Sequence, residues 1–262
     1  MQTAGDPRVV NLLWTGGWDS TFRVMQLLRM EHRAVQPYYV IDRLKHRPAV
    51  PAERNAMRNI RANLQGRDPI EAARLHPTIE IPFSDIPPDA PISDHFEQCL
   101  KFGFIGGQYE WLARFCAARD IRDMELSIHR DDKARELIAD LIDASRTRLD
   151  ARFAGDRRYQ LFKWFRFPLF DKTKQQMRSE ARAADFDGLM SLTWFCHRPI
   201  RGEACGVCNP CIYTIAEGLG DRVPAAGRRR YRLRVVPRLR HALTRHTGLY
   251  LAARSVYRKL RH

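Results

Sequence analysis

Two short stretches of this chain concentrate the residues that can do chemistry. The first is Thr15-Gly16-Gly17-Trp18-Asp19-Ser20-Thr21. It sets three hydroxyls, a carboxylate and two glycines behind the apolar run Val9 to Trp14 and ahead of a helix-like pattern at Phe22, Met25 and Leu28. Strand, glycine turn, helix is an arrangement that binds phosphate: glycines let the backbone approach an anion, and a helix N-terminus aims unpaired N–H groups and partial positive charge at it. Thr15, Ser20 and Thr21 can add donors. Asp19 repels a phosphate, so its expected role is to hold Mg2+ or to fix the turn.

The second stretch carries Cys196, Cys205, Cys208 and Cys211, spaced C-x8-C-x2-C-x2-C. Three thiols on the tight knuckle CGVCNPC, with a fourth closing from a longer loop, suit a tetrahedral Zn2+ site of structural type. An iron–sulfur cluster also needs only four cysteines, and spacing alone leaves it open. The other two cysteines, Cys99 and Cys116, stand alone in apolar surroundings.

The glycine turn is neither of two common phosphate loops. A Walker A loop needs G-x-x-x-x-G-K-[ST], and a dinucleotide fingerprint needs G-x-G-x-x-G; this turn reads G-G-x-D-S-T.

The elements that must position these residues follow from periodicity. Strands are expected at Val9 to Trp14, Ala34 to Asp42, Thr78 to Phe83, Asp123 to Ile128 and Lys163 to Phe170. Helices are expected from Asp19, from Pro51 to Leu64, from Gln108 to Asp120, as one long helix over 131–149, and over 172–184. SDIPPDAPI (84–92) reads as a proline-rich loop. Alternating strands and helices predict an α/β fold, a parallel sheet covered by helices in a Rossmann-like manner. The expected domains are a nucleotide-binding domain over 1–189, a cysteine module over 190–220 and a basic tail over 221–262, with GDRVPAAGRRR as a linker into the tail.

Charge separates the tail from the rest. The 262 residues carry a formal net charge of +15. Residues 221–262 hold 12 Arg and 1 Lys against 1 Asp, a net of +12, which leaves +3 for the first 220 residues. The tail therefore sets the basicity, and its expected partners are nucleic acid, an anionic membrane surface or an acidic protein. HALTRHTGLYLAARSVYRKL can form an amphipathic helix with Leu243, Leu249, Leu251 and Val256 close together. No apolar stretch is long enough for a transmembrane helix, and the start MQTAGDPRVV lacks a signal-peptide pattern, so the cytoplasm is the expected location.

The G-G-x-D-[ST] turn resembles the PP-loop of the ATP pyrophosphatase superfamily, with Thr15 in place of the usual first serine. PLFDKTK resembles that superfamily's P-L-x-x-x-x-K element, which makes Lys174 the candidate ligand of the nucleotide phosphates. PP-loop, lysine element and C-x8-C-x2-C-x2-C in this order resemble the 7-cyano-7-deazaguanine synthase family over roughly residues 8 to 220. The resemblance implies an adenine nucleotide alpha-hydrolase-like fold. It also implies an AMP-forming ligase that adenylates a carboxylate, releases pyrophosphate and transfers nitrogen to give an amide or nitrile. The implied ATP-binding set is Leu13, Trp14, Thr15, Gly16, Gly17, Trp18, Asp19, Ser20, Thr21, Phe22, Asp42 and Lys174, with Asp19, Ser20 and Lys174 as the catalytic members. The expected cofactors are ATP, Mg2+ and Zn2+; the expected partners are a carboxylate substrate and ammonia, and a homodimer stays open.

The middle of the chain departs from the family pattern. FIGGQYEWLARF stands where the family has V-P-G-R-N. ELSIHRDDKARE stands where it has an acidic, threonine-containing stretch, with Asp131 and Asp132 as partial counterparts. Two other readings stay open: a tRNA-modifying PP-loop enzyme, which would need Cys99 or Cys116 as a reactive thiol, and a non-catalytic nucleotide-binding protein.

Overall fold

The computed structural model describes residues 9–41, 48–103 and 105–233. The chain divides into two compact units, residues 1–195 and 196–262.

The first unit is built on five parallel strands in the order β3-β2-β1-β4-β5. These are β1 (Val9–Leu13), β2 (Ala34–Ile41), β3 (Ile79–Pro82), β4 (Met124–Glu125) and β5 (Phe165–Arg166). β1 pairs in register from Val9↔Ala34 to Leu13↔Tyr38, and Leu12 faces Glu125 on its other side. β2 continues to β3 from Tyr38↔Ile79 to Ile41↔Pro82. A proline inside an inner strand normally breaks a ladder. Pro37 sits where the ladder toward β3 is interrupted, between the isolated Val35↔Leu75 bridge and the start of β3 pairing. There Gln36 spans the gap, its Nε2 donating to the Pro77 carbonyl at 2.9 Å.

The order reverses at β1: the chain steps from β1 to β2 to β3, then returns to β4 on the other side. Right-handed crossovers then put the helices of the two halves on opposite faces. α1 (Trp18–Met25), prolonged by a π-helical turn Gln26–Met30, α2 (Val50–Arg67) and the short α3 (Pro69–Ala73) follow β1 and β2. α4 (Ala90–Cys99), α5 (Gln108–Ala118), α6 (Lys133–Ile138) and α7 (Arg157–Phe162) follow β3 and β4. They pack over a core in which Tyr109, Phe162, Phe165, Phe167 and Phe170 touch ring to ring at 5.1–6.3 Å. α8 (Lys174–Ala183) and α9 (Asp187–Ser191) return to the α1 face, where Phe186 meets Phe22 at 5.8 Å.

Four expected elements differ. The proline-rich segment is partly helical: Asp89 caps α4 by accepting from Ile92 N at 3.0 Å, and Pro91 lies in the first turn, where a missing N–H costs nothing. The expected long helix over 131–149 stops at Ile138 and runs through a 3-10 turn, Ala139–Leu141. Beyond it, Ile142 bridges Leu149, Asp143 and Ser145 bond each other, and Arg146 takes φ +60. Short polar side chains competing for the backbone explain the stop. β4 and β5 are two residues each, shorter than the expected strands.

The second unit contains α10 (Asn209–Ala216) and α11 (Ala225–Leu233), with the cysteine loop ahead of them. The expected linker is therefore structured. Val223 and Gly227 are buried, and α11 occupies most of the segment read as a tether. The remainder of the tail, with Leu243, Leu249, Leu251 and Val256, lies outside the described residues. No helix among the described residues is long and apolar enough to cross a membrane.

Candidate active site and metal centre

In an open parallel sheet, ligands bind beyond the C-terminal strand ends where the strand order reverses. The Thr15–Thr21 turn stands at that point, between β1 and β4. Gly16 has φ +68, and a Cβ there would meet the Glu53 carbonyl oxygen at 2.9 Å and Met57 Cγ at 3.1 Å. Only glycine fits against α2 in that conformation. At Gly17 a Cβ would come within 3.2 Å of Thr15 Oγ1, so the bare backbone leaves room for the exposed Thr15 hydroxyl beside the loop. Gly17 is the N-cap of α1 and supplies no side-chain cap. The first intrahelical bond is Thr21 N to Gly17 O, at 3.0 Å, so the amides of Trp18, Asp19 and Ser20 precede the ladder. The loop's far side is fixed by Trp194 N donating to Gly16 O at 2.8 Å.

Behind the turn lies a cluster of charged groups from three strand ends. Asp19 Oδ2 is 3.6 Å from Lys174 Nζ and 3.9 Å from His129 Nε2. Both separations exceed hydrogen-bond length; the Lys174 ammonium acts on Asp19 through its charge. The other oxygen, Asp19 Oδ1, is buried and has no hydrogen-bond partner among the described residues. Asp132 belongs to the same electrostatic group. Burial raises its pKa and Asp19 adds to the rise, while its bond from Ala134 N, then His129 and Lys174, oppose it. His129 is 5% exposed, and its Nδ1 accepts from Asp131 N at 3.3 Å, which turns Nε2 toward Asp19.

Lys174 opens α8, whose N-cap Thr173 forms a capping box with Gln176. A cation at a helix N-terminus works against the helix dipole, and here the Asp19 carboxylate offsets that cost. The neighbouring Lys172 is paired with Glu180 instead. The turn between Pro168 and Lys174 is held by Asp171, which accepts from Arg135 at 3.1 Å and from Arg146 at 2.8 Å; Arg146 first, then Arg135, lowers its pKa to about 2.

The structure thus brings Thr15, Gly16, Gly17, Asp19 and Lys174 together. It turns other members of the expected set inward. Trp14, Thr21 and Phe22 are fully buried, and the Thr21 hydroxyl accepts from Trp14 Nε1 at 3.0 Å. Trp18 is buried as well. The Ser20 hydroxyl is buried and lies 3.5 Å from Gly17 O. Leu13 is half-buried at the end of β1. Asp42 lies outside the described residues. His129 entered no expected site, and Asp132 entered only as a partial counterpart of a family stretch. The available signal was the pair of titratable residues just past the fourth apolar strand.

Asp19 Oδ1, buried and without a hydrogen-bond partner among the described residues, is an oxygen donor that a hard cation such as Mg2+ could use.

In the second unit the sulfur atoms of Cys196, Cys205, Cys208 and Cys211 lie within 4.8 Å of one another, and this group could hold a metal ion. The Cys196–Cys208 and Cys205–Cys211 separations are both 3.8 Å, and Cys208–Cys211 is 3.4 Å. A tetrahedron with metal–sulfur bonds of about 2.3 Å puts its sulfurs about 3.8 Å apart. Backbone amides donate to the sulfurs: Cys205 N to Cys196 at 3.2 Å, and Cys208 N to Cys205 at 3.3 Å. Helix α11 clamps this knuckle. A Cβ on Gly206 would overlap the Gly227 carbonyl, and Arg230 Nε donates to Cys205 O at 2.8 Å.

No protein-family model matches the chain, and neither a curated protein nor a solved structure matches it.

Proposed function

We propose that the first unit is an AMP-forming, ATP-dependent carbon–nitrogen ligase of the PP-loop type. The observation that carries the reading is the convergence of Asp19 and Lys174, 155 positions apart in sequence, beside a helix N-terminus without a side-chain cap at the sheet's switch point. In this reading the first amides of α1 and Lys174 receive the phosphates of ATP. A substrate carboxylate oxygen attacks the α-phosphorus, the α–β P–O bond breaks, and pyrophosphate leaves with its growing charge held by Lys174 and the amides. Ammonia then attacks the acyl carbon and AMP leaves. Bound Mg2+, held by Asp19, would neutralise phosphate charge. His129, with Nε2 3.9 Å from Asp19 Oδ2, flanks that carboxylate. The deazaguanine carboxylate is one candidate substrate, and a related metabolite or a protein carboxylate is another.

Two observations weigh against a tRNA thiolation reading. It requires a reactive thiol, and Cys99 and Cys116 are both fully buried. Burial pushes Cys99 up to about 11 and Cys116 up to about 12, far from the thiolate range. For the metal, we infer Zn2+: one ion accounts for sulfurs this close, whereas an iron–sulfur cluster spreads its thiolates over several metal atoms.

The test is incubation of the full chain with ATP, Mg2+, ammonium and a panel of carboxylates. AMP and pyrophosphate are the expected products, dependent on the carboxylate. ADP and phosphate would overturn the reading. Metal analysis of protein purified without chelators should find one zinc and no iron.

A further inference from the structure

The face of the sheet away from α1 holds a cavity of about 520 Å3 that the proposed reaction does not use. It opens between the segment after β3, α4 and the start of α5. Phe83, Phe96 and Trp111 line it with their rings, and Glu97 and Glu110 with carboxylates. The rings are ordered: Phe83 and Trp111 meet edge to face at 6.1 Å and 89°. One carboxylate is fixed. Ser93 Oγ donates to Glu110 Oε1 at 2.6 Å, and Arg114 Nη1 lies 3.3 Å from the same oxygen. That arginine also stands over the Phe83 ring at 6.0 Å, so this wall already carries one cation on an aromatic face. The second carboxylate is uncommitted: Glu97 is exposed and has no ion-pair partner among the described residues.

Aromatic rings attract cations through their quadrupole, tryptophan most strongly, and a nearby carboxylate adds charge. Arg114 neutralises Glu110, which leaves Glu97 as the unanswered charge beside three rings. We propose that this cavity binds a small organic cation, an amine or alkylated ammonium. Phe96 and Trp111 cover its apolar body and Glu97 meets its charge. The polar oxygens of the lining are acceptors for ammonium N–H groups, and the volume leaves ample room for a benzylammonium ion. The lining carries this inference independently of the nucleotide reading, so either can fail alone.

The experiment is calorimetric titration of the full chain, without nucleotide, with benzylamine near neutral pH, with tetramethylammonium, and with uncharged benzyl alcohol. Benzylamine should bind saturably, with benzyl alcohol roughly tenfold weaker, in line with a partly desolvated cation–π and charge contact. Glu97→Gln should weaken benzylamine roughly fivefold and leave the alcohol unchanged. Trp111→Leu should weaken both cations. The exposed Glu97 makes its variant safe for folding, so it decides the matter if the Trp111 variant misfolds. Equal binding of alcohol and amine, an unchanged affinity in Glu97→Gln, or no saturable heat would overturn the proposal.

Discussion

The two chemical regions of this protein are built in opposite ways. The cysteine knuckle draws four like ligands from 16 consecutive residues, three of them buried, and they satisfy one another and the surrounding amides. The glycine turn gathers Asp19, His129, Asp132 and Lys174 from distant stretches, and it leaves a buried carboxylate oxygen without a hydrogen-bond partner among the described residues. The knuckle has the character of a structural device, closed once filled. The turn keeps an unsatisfied group in place at the scaffold's cost, which is the character that the proposed function asks of it. A local site stands or falls with its ligand, whereas a distributed site depends on the whole sheet.

Removing the metal is the strongest way to sharpen this contrast. Metal binding in isolated Cys-rich modules is worth roughly 10–16 kcal/mol, and it is folding energy for the segment it organises. Chelation, or Cys205→Ser, should therefore disorder the knuckle together with α11. That helix rests on the knuckle backbone: Gly227 abuts Ala204 and Gly206, and Arg230 bonds the Cys205 carbonyl. Hydrogen exchange should report lost protection over 196–233 and retained protection over β1, β2 and α2. Loss of protection in the sheet as well would erase the contrast.

The next largest effect is expected where the distributed site meets its scaffold. Arg23 on α1 and Glu125 on β4 form a buried pair across the switch point, at 2.7 and 3.0 Å, and Arg23 is also paired with Glu31. Breaking a buried pair from one side costs about 3–5 kcal/mol because the remaining charge is stranded. With Glu31 still present, Glu125→Gln should fall near the lower end. Urea unfolding measures it, and under the proposed function the AMP-forming rate should drop in parallel because α1 follows the glycine turn. A stability change under about 1 kcal/mol would mean that the pair does not brace the site.

Substitutions at the site itself should separate activity from stability. In the proposed reaction Lys174 meets the phosphates, so Lys174→Ala should lower turnover roughly 10²- to 10³-fold. It also removes a cation from a helix N-terminus, where the dipole disfavours it, but leaves Asp19 without that partner, so any fall in Tm should be small beside the loss of turnover. Asp132→Asn keeps the oxygen that accepts from Ala134 N and removes a charge that burial disfavours. The sign follows from its raised pKa. The folded state favours the protonated acid, so stability from this group is present at low pH and lost as pH rises through the folded value. At neutral pH the asparagine variant should be at least as stable as the parent. A clear loss of stability would show that Asp132 is a structural residue.

The local character of each region also governs how much of it can be read from sequence. The glycine turn, the lysine element and the four cysteines are legible because each is a contiguous pattern with its own geometry. The parallel order of strands is legible from their alternation with helices. His129 and Asp132 are not legible as site residues, because only the pairing of β4 between β1 and β5 carries them to Asp19. Trp14, Thr21 and Phe22 read as site residues by proximity in sequence, yet strand alternation and helical period turn them into the core. The segment 131–149 reads as one helix because its apolar spacing fits; the Asp143–Ser145 turn chemistry that ends it is weaker as a pattern than the periodicity it interrupts.

The smallest expected effect tests how the scaffold holds one distributed residue. Asp171 sits three positions before Lys174 and is bonded by Arg135 and Arg146. All three are at least partly exposed, so solvent screens the pairs, and Asp171→Asn should cost no more than about 1 kcal/mol. Its pKa is depressed from 3.8 to about 2, with Arg146 the first cause. A carboxylate depressed in the folded state stabilises above its unfolded pKa, and that contribution is lost as pH falls through the folded one. The parent and Asp171→Asn should therefore differ in stability at neutral pH and converge between pH 3.8 and about 2. Ammonium-dependent AMP release at neutral pH should fall further than this stability loss explains, because the same turn aims Lys174. If the variant loses stability but no activity, the turn is only packing, and Lys174 is positioned by its helix cap alone.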